Sequence, residues 1–398
     1  MGILARAFEQ KAVDPLSVWA EMMRAGRASK SGQTINLENT LRVGTALACM
    51  REIAQGCAQV PFKLFLGDEK AEGHPLYDLL AMQPNDWSTS FEFIETLLMH
   101  ASLGNGYVFK NVVRGRIAEL IILNPGRVQK EQKPDYSVIY KVTAPSGAEQ
   151  EFPAEAIWHV RGPSWDGVTG MDIMSLAREA LGLSIATEGS HAKLHEKGVR
   201  PSGVYSVEGS LSEPQYKALK RWIEMEFGGA ENAGTPMILD RAAKWISTAM
   251  SGVDSQHLET RKHQIEEVCR FFGVFPMIVF HSDKTSTFAS SESFFEANNK
   301  LTLSRWYRRV EMSATVNLLT RRERQSGLFF KFVANGLLRG SAKDRAEYYA
   351  RALGSGGHPG WMTPDEVRAL EELNPMGGDA AKLPAPTNQT SVPAKETP

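Results

Sequence analysis

Between residues 107 and 160 the sequence falls into short runs of alternating apolar and polar side chains, and on both sides of that stretch the period is helical. The runs "AELIILNPGRVQ", "YSVIYKVTAPSG" and "AIWHVRG" alternate and are cut by Pro, Gly and Asn, which predicts strands joined by turns. Upstream, Val43, Leu47, Met50, Ile53 and Ala54 keep helical spacing until Pro61 opens a strand. Thr89 as N-cap with Glu92 three residues on makes a capping box, after which Phe93, Leu97 and Ala101 share one face. That helix runs out at Gly104, and Gly104-Asn105-Gly106 leads directly into "YVFKNVV". A dinucleotide cradle needs the reverse order of strand, glycines and helix, with a third glycine where Phe109 stands. These glycines therefore serve backbone geometry, and the fold class is α+β.

After residue 170 the chain reads as helices around one small mixed unit. A long helix runs through "SLAREALGLSIATEGSHAKLHEKG" and stops at Gly198. The mixed unit follows: strand "SGVYSV", helix "SEPQYKALKRWIEMEFGG" and strand "TPMILD". Ser212 and Gln215 supply the capping box of its helix, and Tyr216, Leu219, Ile223 and Phe227 are expected to be its buried stripe. The helix "DSQHLETRKHQIEEVCRFFG" sets Leu258, Ile265, Val268, Cys269 and Phe272 on one side and charges on the other. A loop, "VFPMIVFHSDKTSTFASS", separates it from a second long helix, "ESFFEANNKLTLSRWYRRVEMSATVNLLTRRERQ". Ser341 starts the helix "AKDRAEYYARAL", and Thr363, Pro364 and Glu366 open the last one with cap, first-turn proline and capping-box glutamate in register. Residues 1–40 read as a polar arm with one short helix near "LSVWAEMMRAG", and residues 377–398 as a disordered tail.

At 398 residues the chain exceeds what one core of about 250–300 residues accommodates, so two or more domains or one elongated subunit are expected. Its 45 basic and 46 acidic residues exclude a nucleic-acid binder that works by bulk positive charge. Cys49, Cys57 and Cys269 are too few for a disulfide framework and lack zinc spacing; Cys49 and Cys57 read as small buried hydrophobes. No run approaches about 18 apolar residues, the N-terminus lacks a secretory core, and Arg6 occupies the myristoylation position, so synthesis in the cytosol is expected.

Residues that could carry chemistry are sparse. His191 and His195 stand one helical turn apart, but the glutamate beside the first histidine of a zinc protease and a third ligand are missing, so they read as surface residues. Neither a G-x-x-x-x-G-K-[ST] loop nor a G-x-S-x-G elbow occurs. No catalytic, cofactor or metal set is therefore expected. Two arginine clusters are more informative: Arg305, Arg308 and Arg309 in "RWYRR", and Arg321, Arg322 and Arg324 in "RRER". They suit bidentate pairing with carboxylates of a neighbouring subunit, the favoured reading, or contact with DNA phosphates.

The order of these pieces resembles the portal proteins of tailed phages, in their HK97-type branch. The resemblance is carried by "CMREIAQGCAQVPFKLF", "HPLYDLLAMQPN", "FEFIETLLMHASLGNGYVF", "LIILNPGRV", "GPSWDGVTGMDIMSLAREALG", "GVRPSGVY", "GGAENAGTPMILD", "DSQHLETRKHQIEEVCRFFGV" and "MTPDEVRALEELNPMGGD", over residues 43–379. It implies a portal fold: a mixed α/β wing (41–170), a two-helix stem (171–197 and 254–273), a small α/β clip (198–253), a tunnel loop (274–291), a long wing-side helix (292–334) and a helical crown (335–376).

It also implies a ring, typically of about twelve copies, at one capsid vertex of the virion, assembled in the host cytoplasm. Through it double-stranded DNA passes without sequence recognition. The implied partners are the large terminase, the major capsid and scaffold proteins and the head-tail connector proteins, with no membrane. His281, Ser282, Asp283, Lys284, Thr285, Ser286 and Thr287 would then face DNA, with Lys284 the loop's one basic residue. Two departures stand out: "GVFPMIVF" replaces the family's Val-Pro-Pro, and Ser304 replaces the proline expected to kink the wing-side helix. The alternatives are another ring-forming head-tail adaptor, which is usually much shorter, and an enzyme acting on nucleotides.

Overall fold

The computed structural model describes residues 26–144, 146–197, 203–206, 212–227, 244–247, 253–281, 294–334, 342–354, 359–371 and 373–384. The chain divides into two compact units, Met1–Gln59 with Lys63–Lys331, and Val60–Phe62 with Phe332–Pro398.

In the first unit, hairpin strands β1 (Arg27–Ala28) and β2 (Thr34–Ile35) precede helices α1 (Leu37–Arg42) and α2 (Gly44–Ala58). Regular structure thus begins before residue 40, within the stretch expected to be an arm. These pieces are too short to show a period, yet Ile35 and Thr40 are buried and Asn36 caps α1 through its side chain. Strands β3 (Phe62–Leu66) and β4 (Glu69–Lys70) and helices α3 (Pro75–Ala81) and α4 (Ser90–Ser102) follow. The expected capping box holds α4: Thr89 accepts from Glu92 N–H while the Glu92 carboxylate accepts from Thr89 N–H. Phe93, Leu97 and Ala101 are buried as their spacing requires.

Six strands come next: β5 (Asn105–Val113), β6 (Arg116–Leu123), β7 (Val128–Gln132), β8 (Val138–Thr143), β9 (Glu149–Pro153) and β10 (Ile157–Arg161). They form two antiparallel sheets, in orders β10-β5-β6 and β7-β8-β9. Strand β9, "EQEFP", is too charged to announce itself in the sequence. Arg114 (φ 51°) and Gly115 (φ 77°) turn β5 into β6, both in the left-handed region that a two-residue hairpin loop requires. Strand β5 is buried on both faces: Tyr107 and Phe109 join Val128, Tyr140, Val142, Phe152 and Ile157 in the core between the sheets, while α4 packs across the strand.

Helices α5 (Ile173–Leu176) and α6 (Arg178–Lys197) replace the single helix expected from residue 171. The break falls at Ala177 (ψ 5°), after a short turn capped by Asp172. Strand β11 (Gly203–Ser206), helix α7 (Glu213–Phe227) and strand β12 (Lys244–Ser247) make up the small mixed section. The partner of β11 is "KWIS", at Lys244–Ser247. The strand expected at "TPMILD" lies outside the described residues. Gln215 Oε1 accepts from Ser212 N–H at 3.0 Å and Ser212 Oγ at 2.9 Å, one half of the expected box; of the expected stripe Tyr216 is exposed rather than buried and Leu219 is half-buried, while the side chains of Ile223 and Phe227 lie outside the described ones.

Helix α8 (Val253–Phe272) packs beside α6 and against α2, with Val268, Cys269 and Phe272 buried. Residues 294–298 are helical, a π turn occupies Asn299–Leu303, and α9 (Ser304–Leu318) continues. The long helix expected through "RRERQ" stops at Leu319, whose ψ of 141° is extended. Thr320 then caps a separate α10 (Arg321–Gln325) in a capping box with Glu323. Strand β13 (Leu328–Phe332) adds to β3 in the order β13-β3-β4.

The second unit contains α11 (Ala342–Ala352) and α12 (Pro364–Leu370), the latter capped by Thr363 and Glu366 as expected. Tyr349 Oη donates to Glu371 at 2.7 Å, and Tyr348 meets Trp361 edge to face at 5.5 Å. Phe62 and Phe332 pack with ring centroids 4.4 Å apart and planes tilted by 33°. The stretch expected to be tail from residue 377 includes a 3-10 turn at Gly378–Ala381, preceded by Met376 and Gly377 N–H groups that donate to Asp365. Residues 385–398 lie outside the described residues.

Candidate functional site

The segment leaving α8 is shaped by its glycine. Gly273 (φ 68°) closes the helix in a Schellman arrangement, with Val274 N–H donating to Cys269 O at 3.1 Å and Gly273 N–H to Arg270 O at 3.3 Å. Pro276–Val279 then form a 3-10 turn, and Phe280 adopts φ 62° with its ring fully exposed. A phenylalanine in the left-handed region stores about 1–2 kcal/mol of strain, held here by its N–H bond to Met277 O and by His281 N–H to Pro276 O. Of the seven residues expected to face DNA, His281 ends this turn half-buried; Ser282, Asp283, Lys284, Thr285, Ser286 and Thr287 lie outside the described residues.

The chain returns at the start of the long helix, fastened to α2 and to the end of α8. Thr302 Oγ1 donates to Gly273 O at 3.0 Å, Asn298 Nδ2 to Glu52 at 2.6 Å, and Tyr307 Oη to Gly56 O at 3.1 Å. Burial raises the Glu52 carboxyl above its ordinary value, and the Asn298 hydrogen bond partly opposes that shift. Gly56 permits the approach, because a methyl there would lie 2.8 Å from Leu303 Cδ2. Ser304 stands where a proline was expected, and its Oγ donates back to Lys300 O at 2.6 Å, next to the π turn. The interruption therefore exists without proline.

These elements enclose a groove of about 690 Å³ between α2 and the two ends of the 282–293 segment. Phe91, Phe280, Phe294 and Phe295 form its apolar walls and Arg51 its charged rim. Sequence reasoning missed this groove, because its walls come from four separate stretches that meet only on folding.

The six arginines separate into two groups. Arg309 is engaged within its own chain: Nη1 donates to Arg161 O at 3.0 Å and Gly162 O at 2.8 Å, and its guanidinium lies 5.4 Å from the Trp306 ring centre. Burial, and secondarily the Arg161 charge, lowers its pKa. Arg324 closes α9 by donating to Val316 O at 2.6 Å and Leu319 O at 2.9 Å. By contrast Arg305, Arg308, Arg321 and Arg322 are exposed; among the described residues Arg308 pairs with Glu311, at 3.9 Å.

A buried polar network holds the centre of the first unit. Asn105 Oδ1 accepts from His159 Nε2 at 2.9 Å, which makes His159 Nδ1 the acceptor for Tyr140 Oη at 3.1 Å. Burial, then the charges of Arg161 and Lys130, holds His159 down to about 3, so the ring is neutral. Lys110 Nζ, also buried, donates to Asn317 O at 2.7 Å. Every bond here serves packing. Among the described residues no group of three or more His, Cys, Asp or Glu side chains could hold a metal. Cys49, Cys57 and Cys269 are free and buried.

The fold and these surfaces define a class: a mixed helix-and-sheet chain with an apolar groove and solvent-facing arginines. The chain belongs to the phage portal protein family, whose sequence model matches residues 45–372. It is 26% identical to the probable portal protein of Streptomyces phage phiC31, over 98% of this chain and 86% of that one. It is 27% identical to the portal protein of Enterobacteria phage HK97, over 87% and 83%. Among solved structures, a chain from the neck of an empty GTA particle, computed with C6 symmetry, superposes with a TM-score of 0.63 at 26% identity, covering 84% of this chain and 93% of that one.

Proposed function

We propose that this protein assembles into the portal ring at one vertex of a phage-type capsid, the channel through which double-stranded DNA is packaged and later ejected. The observation that carries this reading is the family match across residues 45–372, from α2 to the last helix. The six-fold symmetry described for the GTA neck, whose chain is 26% identical to this one, supports a ring, and such symmetry admits six or twelve copies. Twelve is the number the resemblance to tailed-phage portals favours.

In this reading residues 41–170 and 292–334 form the wing, 171–197 and 254–273 the stem, 198–253 the clip, 274–291 the tunnel loop and 335–376 the crown. The clip is the docking site for the large terminase and, later, for head-tail connector proteins; the rim meets the major capsid and scaffold proteins. Near-neutral net charge suits such a conduit, since each phosphate neutralised adds affinity and would slow sliding. His281 and residues 282–287 face the DNA, with Lys284 the loop's single basic contact. Arg305, Arg308, Arg321 and Arg322 pair with carboxylates of the neighbouring copy.

The test is a packaging assay with the cognate capsid and terminase. DNA that resists nuclease inside particles should require this chain, and neutralising Lys284 should leave assembly intact while changing packaging or retention. Full packaging by particles lacking the chain would refute the reading; loss of assembly on neutralising Lys284 would refute the loop assignment.

A further inference from the structure

We propose that Trp165 of one copy seats in the groove walled by Phe280, Phe294 and Phe295 of the next copy, as the knob-in-hole contact that closes the ring. This rests on the ring reading above and adds the two surfaces that meet.

The knob is built to be presented. Trp165 is 93% exposed, at the tip of a loop between Gly162 and Met171 that is braced throughout. Asp166 Oδ1 accepts from Val168 N–H at 2.8 Å, Thr169 N–H at 2.6 Å and Ser164 Oγ at 3.0 Å. Ser164 Oγ also bonds Thr169 O, and Arg161 donates to the Gly167 carbonyl. Asn105 clamps Gly170 from the adjoining strand. An indole held on a braced loop loses little conformational freedom on docking, which is the profile of an interface anchor.

The hole matches it in chemistry and in place. The groove walls are aromatic, and Phe280 on its lip is fully exposed in a strained backbone conformation. Its rim carries the exposed Arg51, while Glu52 in the same lining is held by Asn298, and the knob carries the carboxylate of Asp166 beside the indole. Helix α4 sets the spacing. The loop packs on its C-terminal end, where a methyl on Gly162 would lie 2.8 Å from Ala101 O, and the groove takes Phe91 from its N-terminal end. Thirteen residues of helix separate these ends by about 20 Å. A ring of identical copies needs two different, complementary patches on separated parts of each subunit, and these two satisfy that requirement.

The experiment is site-directed cross-linking of assembled rings carrying Trp165→Cys and, from the groove lining, Gln59→Cys. Mild oxidation should give a non-reducing ladder in steps of 44.0 kDa, with neither single variant doing so. Trp165→Ala should keep the wild-type circular dichroism and thermal midpoint, yet raise the concentration needed for half-assembly about tenfold. Rings that form normally without a ladder, or Trp165→Ala rings as stable as wild type, would overturn this contact and leave the ring reading standing. A wild-type chain that forms no ring would overturn both.

Discussion

Asn105 holds Gly170 by two hydrogen bonds, its Oδ1 accepting from Gly170 N–H at 2.8 Å and its Nδ2 donating to Gly170 O at 3.2 Å. The same oxygen accepts from His159, so one amide ties strand β5 to strand β10 and to the loop that carries Trp165. Asn105→Ala strands the buried His159 N–H and both Gly170 groups, and is expected to cost about 2–4 kcal/mol. Denaturant unfolding checks this; an unchanged midpoint would contradict the bridging role.

Stability should fall in mild acid. Burial alone pushes His100 down to about 4, while burial and then the Arg161 and Lys130 charges push His159 down to about 3. Both titrate near 6.5 once unfolded, so from about 6.5 downward the unfolded chain binds more protons than the folded one. The stabilisation is fully present above about pH 6.5 and is lost as pH falls toward the folded values, by up to about 1.4 kcal/mol per pH unit per histidine. Guanidinium midpoints at pH 7.5, 6 and 5 should decrease, and His159→Gln should flatten the slope. A pH-independent midpoint would refute the account.

The thiols should be silent until the chain unfolds. Cys49 Sγ donates to Cys269 Sγ at 3.8 Å between α2 and α8, a contact that with burial raises the Cys49 pKa and draws the Cys269 pKa down. Cys57 is raised by burial. Since the thiolate is the reactive form and all three are buried, a thiol reagent should titrate none in native buffer and three per chain in guanidinium. Fast modification of one thiol in the native chain would show that this core is open.

The arginines should divide by role. Arg309→Ala removes charge-assisted bonds to two carbonyl groups and should lower stability by about 1.5–3 kcal/mol. Arg305→Ala and Arg321→Ala should change it by no more than about 0.5 kcal/mol while weakening assembly, which mass photometry reads directly. Equal effects from all three would remove the distinction between packing and contact arginines.

The sequence was legible where local chemistry decides the outcome. The boxes Thr89/Glu92 and Thr363/Glu366 placed two helix starts to the residue, and Gly104 marked the joint into β5. The Thr320/Glu323 box was equally local, but it sits inside a basic run that reads as uninterrupted helix, so the break at Leu319 was missed. Strands β9 and β12 exist through their pairing with β8 and β11, a tertiary effect that composition does not carry. Tyr216 fits a buried stripe by spacing yet is exposed in a single chain. Of the site, the arginine clusters were visible from the sequence, but which arginines are engaged internally depends on carbonyl groups more than a hundred residues away, as with Arg309 and Arg161. The groove could not be read, because Phe91, Phe280 and Phe295 converge only on folding.

A portal must close into a ring. Negative-stain electron microscopy of the purified protein, with class averages viewed down the symmetry axis, tests it most directly. Closed rings of about a dozen copies around a central hole are expected. Uniform monomers at high concentration, unchanged on adding the cognate capsid and scaffold proteins, would contradict it.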